Sequence, residues 1–208
     1  MLYPIFRPAL NIPTIRASLV SDKLYTNHQM YDINTLHRLP ECLQLENSSM
    51  RVEGDTVFFY NRSSPLSNFF PAPVYIDGIK YKCTEQYYQC QKAEINGEES
   101  IATQIRLADD PLTCKRLAQS IKETQKWQTE KVRVMEKANM CKYQQHDHLR
   151  KVLLSTGDKT LAEASPRDTF WGIGIPMKSR AKTDHSQWKG DNRLGEILMN
   201  IRNQMKTI

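Results

Sequence analysis

Near the C-terminal end apolar residues recur at helical spacing. Leu194, Ile197, Leu198, Ile201 and Met205 follow the i, i+3, i+4, i+7, i+11 rule and predict an amphipathic helix. Residues 128–143 predict a long helix with Val134, Ala138 and Cys141 on one face, and His148 to Leu154 stays helical until Gly157. Upstream, the pattern is shorter in range. Val57-Phe58-Phe59-Tyr60 reads as an apolar strand. Pro73-Val74-Tyr75-Ile76 and Ile79-Lys80-Tyr81 flank Asp77-Gly78, a pair that supplies the positive φ of a type I′ hairpin turn. Thr84, followed by Glu85 and Gln86, starts a helix reaching about Ile95, which Gly97 closes. A second helix runs from Glu99 to Ala108, and Asp110-Pro111 opens a third with Asp as cap and Pro in the first turn. Thr160 to Ala164 reads as a strand before a loop. Together these predict a mostly helical α+β single domain with a few short strands.

Residues 1–50 do not share this order. The first 53 residues contain none of the chain's eight glycines and show neither a helical nor an alternating period. They are expected to form an extension, loosely ordered or packed onto a domain spanning residues 51–208. Up to Val20 the extension holds Arg7, Arg16 and Ser18 and no acidic residue, as organelle-targeting peptides do, but Pro4, Pro8 and Pro13 interrupt any helix there. An irregular arm is the simpler reading.

Composition narrows the function classes. The chain has 208 residues, 39% of them hydrophobic and 25% charged, enough for a buried core. No apolar run is long enough to span a bilayer, and no membrane partner is expected. Lys and Arg number 29 against 23 Asp and Glu, a net charge of +6 that suits an anionic ligand. Charges cancel over residues 1–50, so the excess belongs to the remainder. Five cysteines (Cys42, Cys83, Cys90, Cys114, Cys141) make no CxxC pair, which points to a reducing compartment and a cytoplasmic protein.

Three segments concentrate chemistry. In the helix from Thr84, Glu85, Gln89 and Lys92 sit at i, i+4 and i+7, so a carboxylate, an amide and an amine share a face. On spacing alone a solvated face is the simpler account. Tyr87, Tyr88 and Cys90 make the flanks semi-apolar and open the other, a carboxylate near a pocket wall. In the second segment, Asp168 to Gly174, Trp171 adjoins Gly172 and Gly174, suggesting a flat aromatic wall beside a closely approaching backbone. A loop carrying a core tryptophan accounts for it equally well. Gly172-Ile173-Gly174 lacks the third glycine of a dinucleotide fingerprint. The third segment, Trp188 to Gly195, opens the terminal helix, where free N–H groups with Lys189 and Arg193 make a phosphate seat. Asp191 or Asn192 can equally serve there as a cap. His146 and His148 fall on different helical faces and read as exposed residues, and Lys178 to Lys182 reads as a solvated basic loop.

In this order and spacing, these segments resemble the NADAR superfamily. The match begins at Phe58-Phe59-Tyr60 and Pro65-Leu66-Ser67-Asn68-Phe69, and continues through Asp77-Gly78, Thr84 to Ala93 and Trp127. It ends with Asp168 to Gly174, Asn192-Arg193-Leu194-Gly195 and Leu198-Met199, covering residues 55–206. The resemblance implies an N-glycosidase acting on a ribose joined through C1 to a ring nitrogen. Riboflavin-pathway ribosylamino-pyrimidines and ADP-ribosylated guanine, free or in nucleic acid, are the substrates it suggests. Under that reading Glu85 stabilises the oxocarbenium-like transition state or activates water. Asp168 protonates the leaving ring or binds ribose hydroxyls, and Lys92 holds the sugar phosphate or attacks C1 as an amine. Trp171 stacks on the ring beside Gly172, Arg62 and Arg193 meet phosphate, and Asn68, Gln89, Trp188 and Asn192 shape the pocket. No metal or cofactor is required. The stretch between Gly174 and Gly190 is longer than in compact bacterial members and is expected to border the substrate. Two other readings stand beside this one: a non-catalytic ADP-ribose or NAD-binding module using the same pocket, and a protein that holds an ADP-ribosylated strand on its basic insertion.

Overall fold

The computed structural model describes residues 23–26, 29–32 and 49–207. The chain divides into two units, residues 1–37 and 38–208. In the first, β1 (Lys23–Thr26) and β2 (Gln29–Asp32) pair antiparallel. The expectations of a loose arm and of targeting content before Val20 fall otherwise outside the described residues.

The second unit carries five strands and six helices among its described residues. Strands β3 (Met50–Glu53), β4 (Thr56–Phe59) and β7 (Thr160–Glu163) form one sheet in that spatial order, β3 antiparallel and β7 parallel to β4. Strands β5 (Val74–Ile76) and β6 (Ile79–Tyr81) form the expected hairpin. Asp77 and Gly78 both have positive φ, 51° and 80°, as a type I′ turn demands. Helices α1 (Thr84–Ile95), α2 (Glu99–Leu107), α3 (Pro111–Leu117), α4 (Gln125–Gln145), α5 (Asp147–Ser155) and α6 (Arg193–Lys206) complete the unit. The α+β class, mostly helical with short strands, is as the sequence predicts.

Strand alternation divides the core in two. Successive side chains point to opposite faces of a sheet. Val57, Phe59 and Leu161 accordingly join the large core formed with the helices, while Phe58, Ala162 and Ala164 join a smaller one with Ile173, Ile175 and Met177. The segment after Gly172 therefore covers the sheet's second face.

Helix α1 lies at the centre of the helical layer, against α2, α3 and α4. Eight of its twelve residues are buried, although half of those eight are polar or charged. Gln86 explains part of this: its amide accepts from Lys82 N at 2.7 Å and donates to the carbonyls of Ile105, Arg106 and Ala108, tying α1 to the end of α2. Helix α6 packs on β7 and α4. Gly195 permits that contact, since a Cβ there would stand 2.0 Å from the Leu161 carbonyl oxygen.

Candidate active site

A cleft of about 200 Å³ opens beside α1. Its lining draws on five parts of the fold. Helix α1 contributes Glu85, Tyr88, Gln89 and Lys92, whose spacing of i, i+3, i+4 and i+7 makes one stripe. The loop before β5 supplies Asn68 and Phe69, and α3 supplies Lys115. The approach to α4 and α4 itself supply Glu123 and Met135, and β7 with its following loop supplies Glu163, Asp168 and Trp171.

The carboxylate face of α1 is not solvated. Glu85 is 5% exposed and Gln89 6%. Spacing alone could not show this, because the burial comes from elements packed around the helix. The N-terminus of α1 is anchored by Asn68, whose carbonyl accepts from Glu85 N at 3.1 Å and from the Thr84 hydroxyl at 3.1 Å. The Asn68 side chain is itself held, its Oδ1 accepting from Thr84 Oγ1 and Asn139 Nδ2. Lys142, buried beneath the same loop, donates its ammonium to the carbonyls of Pro65 (2.7 Å) and Ser67 (2.8 Å). Burial pulls this lysine down to about 7.

Within the cleft, Gln89 Nε2 donates to Glu85 Oε1 at 2.8 Å. Burial pushes the Glu85 carboxyl above its ordinary value, with Asp168 adding to the rise, while the Gln89 hydrogen bond and Lys115 work the other way. Lys92 Nζ pairs with Glu123 Oε1 at 2.8 Å. Asp168 Oδ1 accepts from the backbone N–H of Phe170 (3.1 Å) and of Trp171 (2.7 Å), so this carboxylate fixes the turn that presents the indole. Trp171 meets Tyr88 edge to face at 5.5 Å, the geometry aromatic quadrupoles favour. Lys115 stands 5.9 Å from the Phe69 ring centre.

Of the residues singled out from the sequence, the structure brings together Glu85, Asp168, Lys92, Asn68, Gln89 and Trp171. Five others lie off the cleft lining. Arg62 is exposed and pairs with Asp110 at 3.5 Å. Arg193 is exposed and pairs with Glu196 at 3.0 Å. Asn192, buried with a left-handed φ of 55°, does not cap its helix; its Nδ2 donates to Leu161 O and its Oδ1 accepts from Glu163 N, stitching α6 to β7. Gly172 permits close chain packing instead of a phosphate approach, since a Cβ there would lie 2.8 Å from Glu163 O. Trp188 donates its indole N–H to Lys182 O at 2.7 Å and packs on the smaller core. The segment between Gly174 and Gly190 likewise contributes nothing to the lining and covers the far side of the sheet. Lys182 within it is no solvated loop residue but a buried partner of Glu53 at 2.8 Å.

Sequence reasoning passed over Glu163 and Lys115, and took Tyr88 only as a semi-apolar flank of the carboxylate face. Glu163 carried a usable signal: in a strand Leu161-Ala162-Glu163, alternation sends the glutamate to the same face as a core leucine. Lys115 carried none, because only the packing of α3 against α1 brings it to the cleft.

The NADAR domain model matches residues 58–206, a span that holds every residue of the cleft. The chain belongs to the NADAR domain family. The chain is 32% identical over 157 residues to the N-glycosidase YbiA of Escherichia coli, covering 73% of this chain and 89% of that one. Protein irg-1 of Caenorhabditis elegans is 31% identical over 169 residues, covering 73% and 80%. The solution structure of E. coli YbiA superposes on it with a TM-score of 0.62 at 32% identity, covering 75% of this chain and 88% of that one.

Proposed function

We propose that this protein is an N-glycosidase that hydrolyses the bond between a (phospho)ribose or ADP-ribose and a nucleobase-like ring. ADP-ribosyl-guanosine and ribosylamino-pyrimidines are the substrate classes to try first. The observation that carries the reading is a buried carboxylate, Glu85, in one cleft with an indole wall and two ammonium groups. The membership of the family and the printed names of its N-glycosidase members support the same reaction type.

In this mechanism positive charge develops on C1 and the ring oxygen as the C1–N bond breaks. Glu85, held by Gln89, stabilises that charge and takes a proton from the attacking water. Trp171 stacks on the departing ring and Asp168 receives ribose hydroxyls. Lys115 receives the sugar phosphate with Lys92, which stands in an ion pair with Glu123.

Incubation with a panel of phosphoribosyl and ADP-ribosyl compounds, read by mass spectrometry for released ring, tests the reading. Turnover of at least one compound is expected, with Glu85→Gln at least about a hundredfold slower at unchanged folding. Ligand that raises the melting temperature but is recovered intact would instead mark a binding module. Full activity in Glu85→Gln would remove that residue from the mechanism.

A further inference from the structure

We propose that Glu163 is the acid that protonates the departing ring, acting from the end of β7 into the cleft; the assignment rests on the N-glycosidase reading above. Three carboxyl side chains with different environments line the cleft around Trp171: Glu85, Glu163 and Asp168. Glu85 accepts from the Gln89 amide, and Asp168 accepts from two backbone N–H groups. Hydrogen bonds donated to a carboxylate favour its ionised form. The Glu163 carboxyl receives no hydrogen bond and no ion pair from any described residue. Of the three it is therefore the one with no donor committed to it, and the one placed to give a proton to the departing ring.

The strand aims it. Leu161, two residues before, faces the helical core, while Ala162 and Ala164 face the smaller one, so Glu163 turns towards the helices. Its backbone N–H donates to Asn192 Oδ1 at 3.1 Å, which pins the strand end to the start of α6. The charged groups that face it are Glu85 from α1, Asp168 from the loop after β7 and Lys115 from α3. Burial, then Asp168 and Glu85, raise the Glu163 carboxyl to about 8 against the smaller pull of Lys115. A carboxylic acid that keeps its proton at neutral pH is suited to donate it to a leaving group.

The step balances. The C1–N electron pair leaves on the ring nitrogen, which takes the proton of Glu163. Water oxygen bonds to C1 and gives a proton to Glu85, and exchange with solvent restores both groups. One water is consumed for each bond broken.

The test combines kinetics and spectroscopy on the full chain. With the panel compound that wild type turns over fastest, Glu163→Gln should lower kcat at least about a hundredfold, with KM within about threefold. Wild-type kcat/KM should fall as pH rises through about 8, and that limb should be missing from the variant. Independently of any variant, infrared spectra of the wild type at pH 7 should show a protonated carboxyl band that titrates away through the same range. No such band, unimpaired turnover by Glu163→Gln, or a variant that keeps the alkaline limb each overturns the assignment. A wild type inert on the whole panel removes the N-glycosidase reading itself, and the proton on Glu163 would then be catalytically idle.

Discussion

Two charged side chains in the cleft make separate predictions at the level of single residues. Lys115 has no carboxylate partner among the described residues, unlike Lys92, and so is free to receive an anion. Lys115→Met should raise KM about tenfold for phosphorylated substrates, leave kcat within about twofold, and leave an unphosphorylated nucleoside unaffected. Steady-state kinetics on the matched pair checks this. Glu163 predicts a pH dependence of stability. Its folded value of about 8 lies above the 4.5 of an ordinary glutamate, so folding holds its proton more tightly. That contribution is fully present below pH 4.5 and is lost as pH rises to about 8. The melting temperature of Glu163→Gln relative to wild type should therefore climb across that window. A difference that stays constant with pH would contradict the burial of this carboxyl.

The seam between β7 and α6 governs two of the cleft's corners from the level of the elements. Glu163 ends the strand, and the loop carrying Asp168 and Trp171 returns to α6 through hydrogen bonds such as Leu194 N to Trp171 O at 3.1 Å. Asn192 serves both partners. Asn192→Ala should lose its two hydrogen bonds to β7 and retain a left-handed backbone that alanine resists, for a cost of about 2–4 kcal/mol in unfolding free energy by denaturant titration. Gly195→Ala should be worse, because the carbonyl of Leu161 already stands where the methyl group would go. Both variants should lose activity through the displaced strand, and neither through lost phosphate binding. A KM effect confined to phosphorylated substrates would return Asn192 to the cleft.

For the whole molecule, the decisive feature is a sheet covered on both faces. One face meets the helices and the cleft, and the other is sealed by the segment after Gly172. Lys178 and Arg180 are exposed there, away from the cleft lining. Replacing both with alanine should leave kcat and KM for small-molecule substrates unchanged. Trp188→Ala should instead cost about 2–3 kcal/mol, since it removes an aromatic body from the smaller core and orphans the Lys182 carbonyl. Among the described residues no helix is long and apolar enough to cross a membrane.

The sequence by itself determined what depends on neighbours along the chain. The hairpin at Asp77-Gly78, the cap at Asp110, the spacing of Glu85, Gln89 and Lys92, and the amphipathic α6 all follow from local stereochemistry and periodicity. Membership of the family was legible too, because its motifs keep their order along the chain. Only the tertiary structure decided which polar residues are buried, since burial belongs to the contacts between elements. It put the α1 stripe inside the cleft, replaced Arg62 and Arg193 with Lys115 among the cations there, and turned Asn192 and Trp188 to structural use. Glu163 stood between these cases: strand alternation assigned it a face, but only packing made that face a cleft.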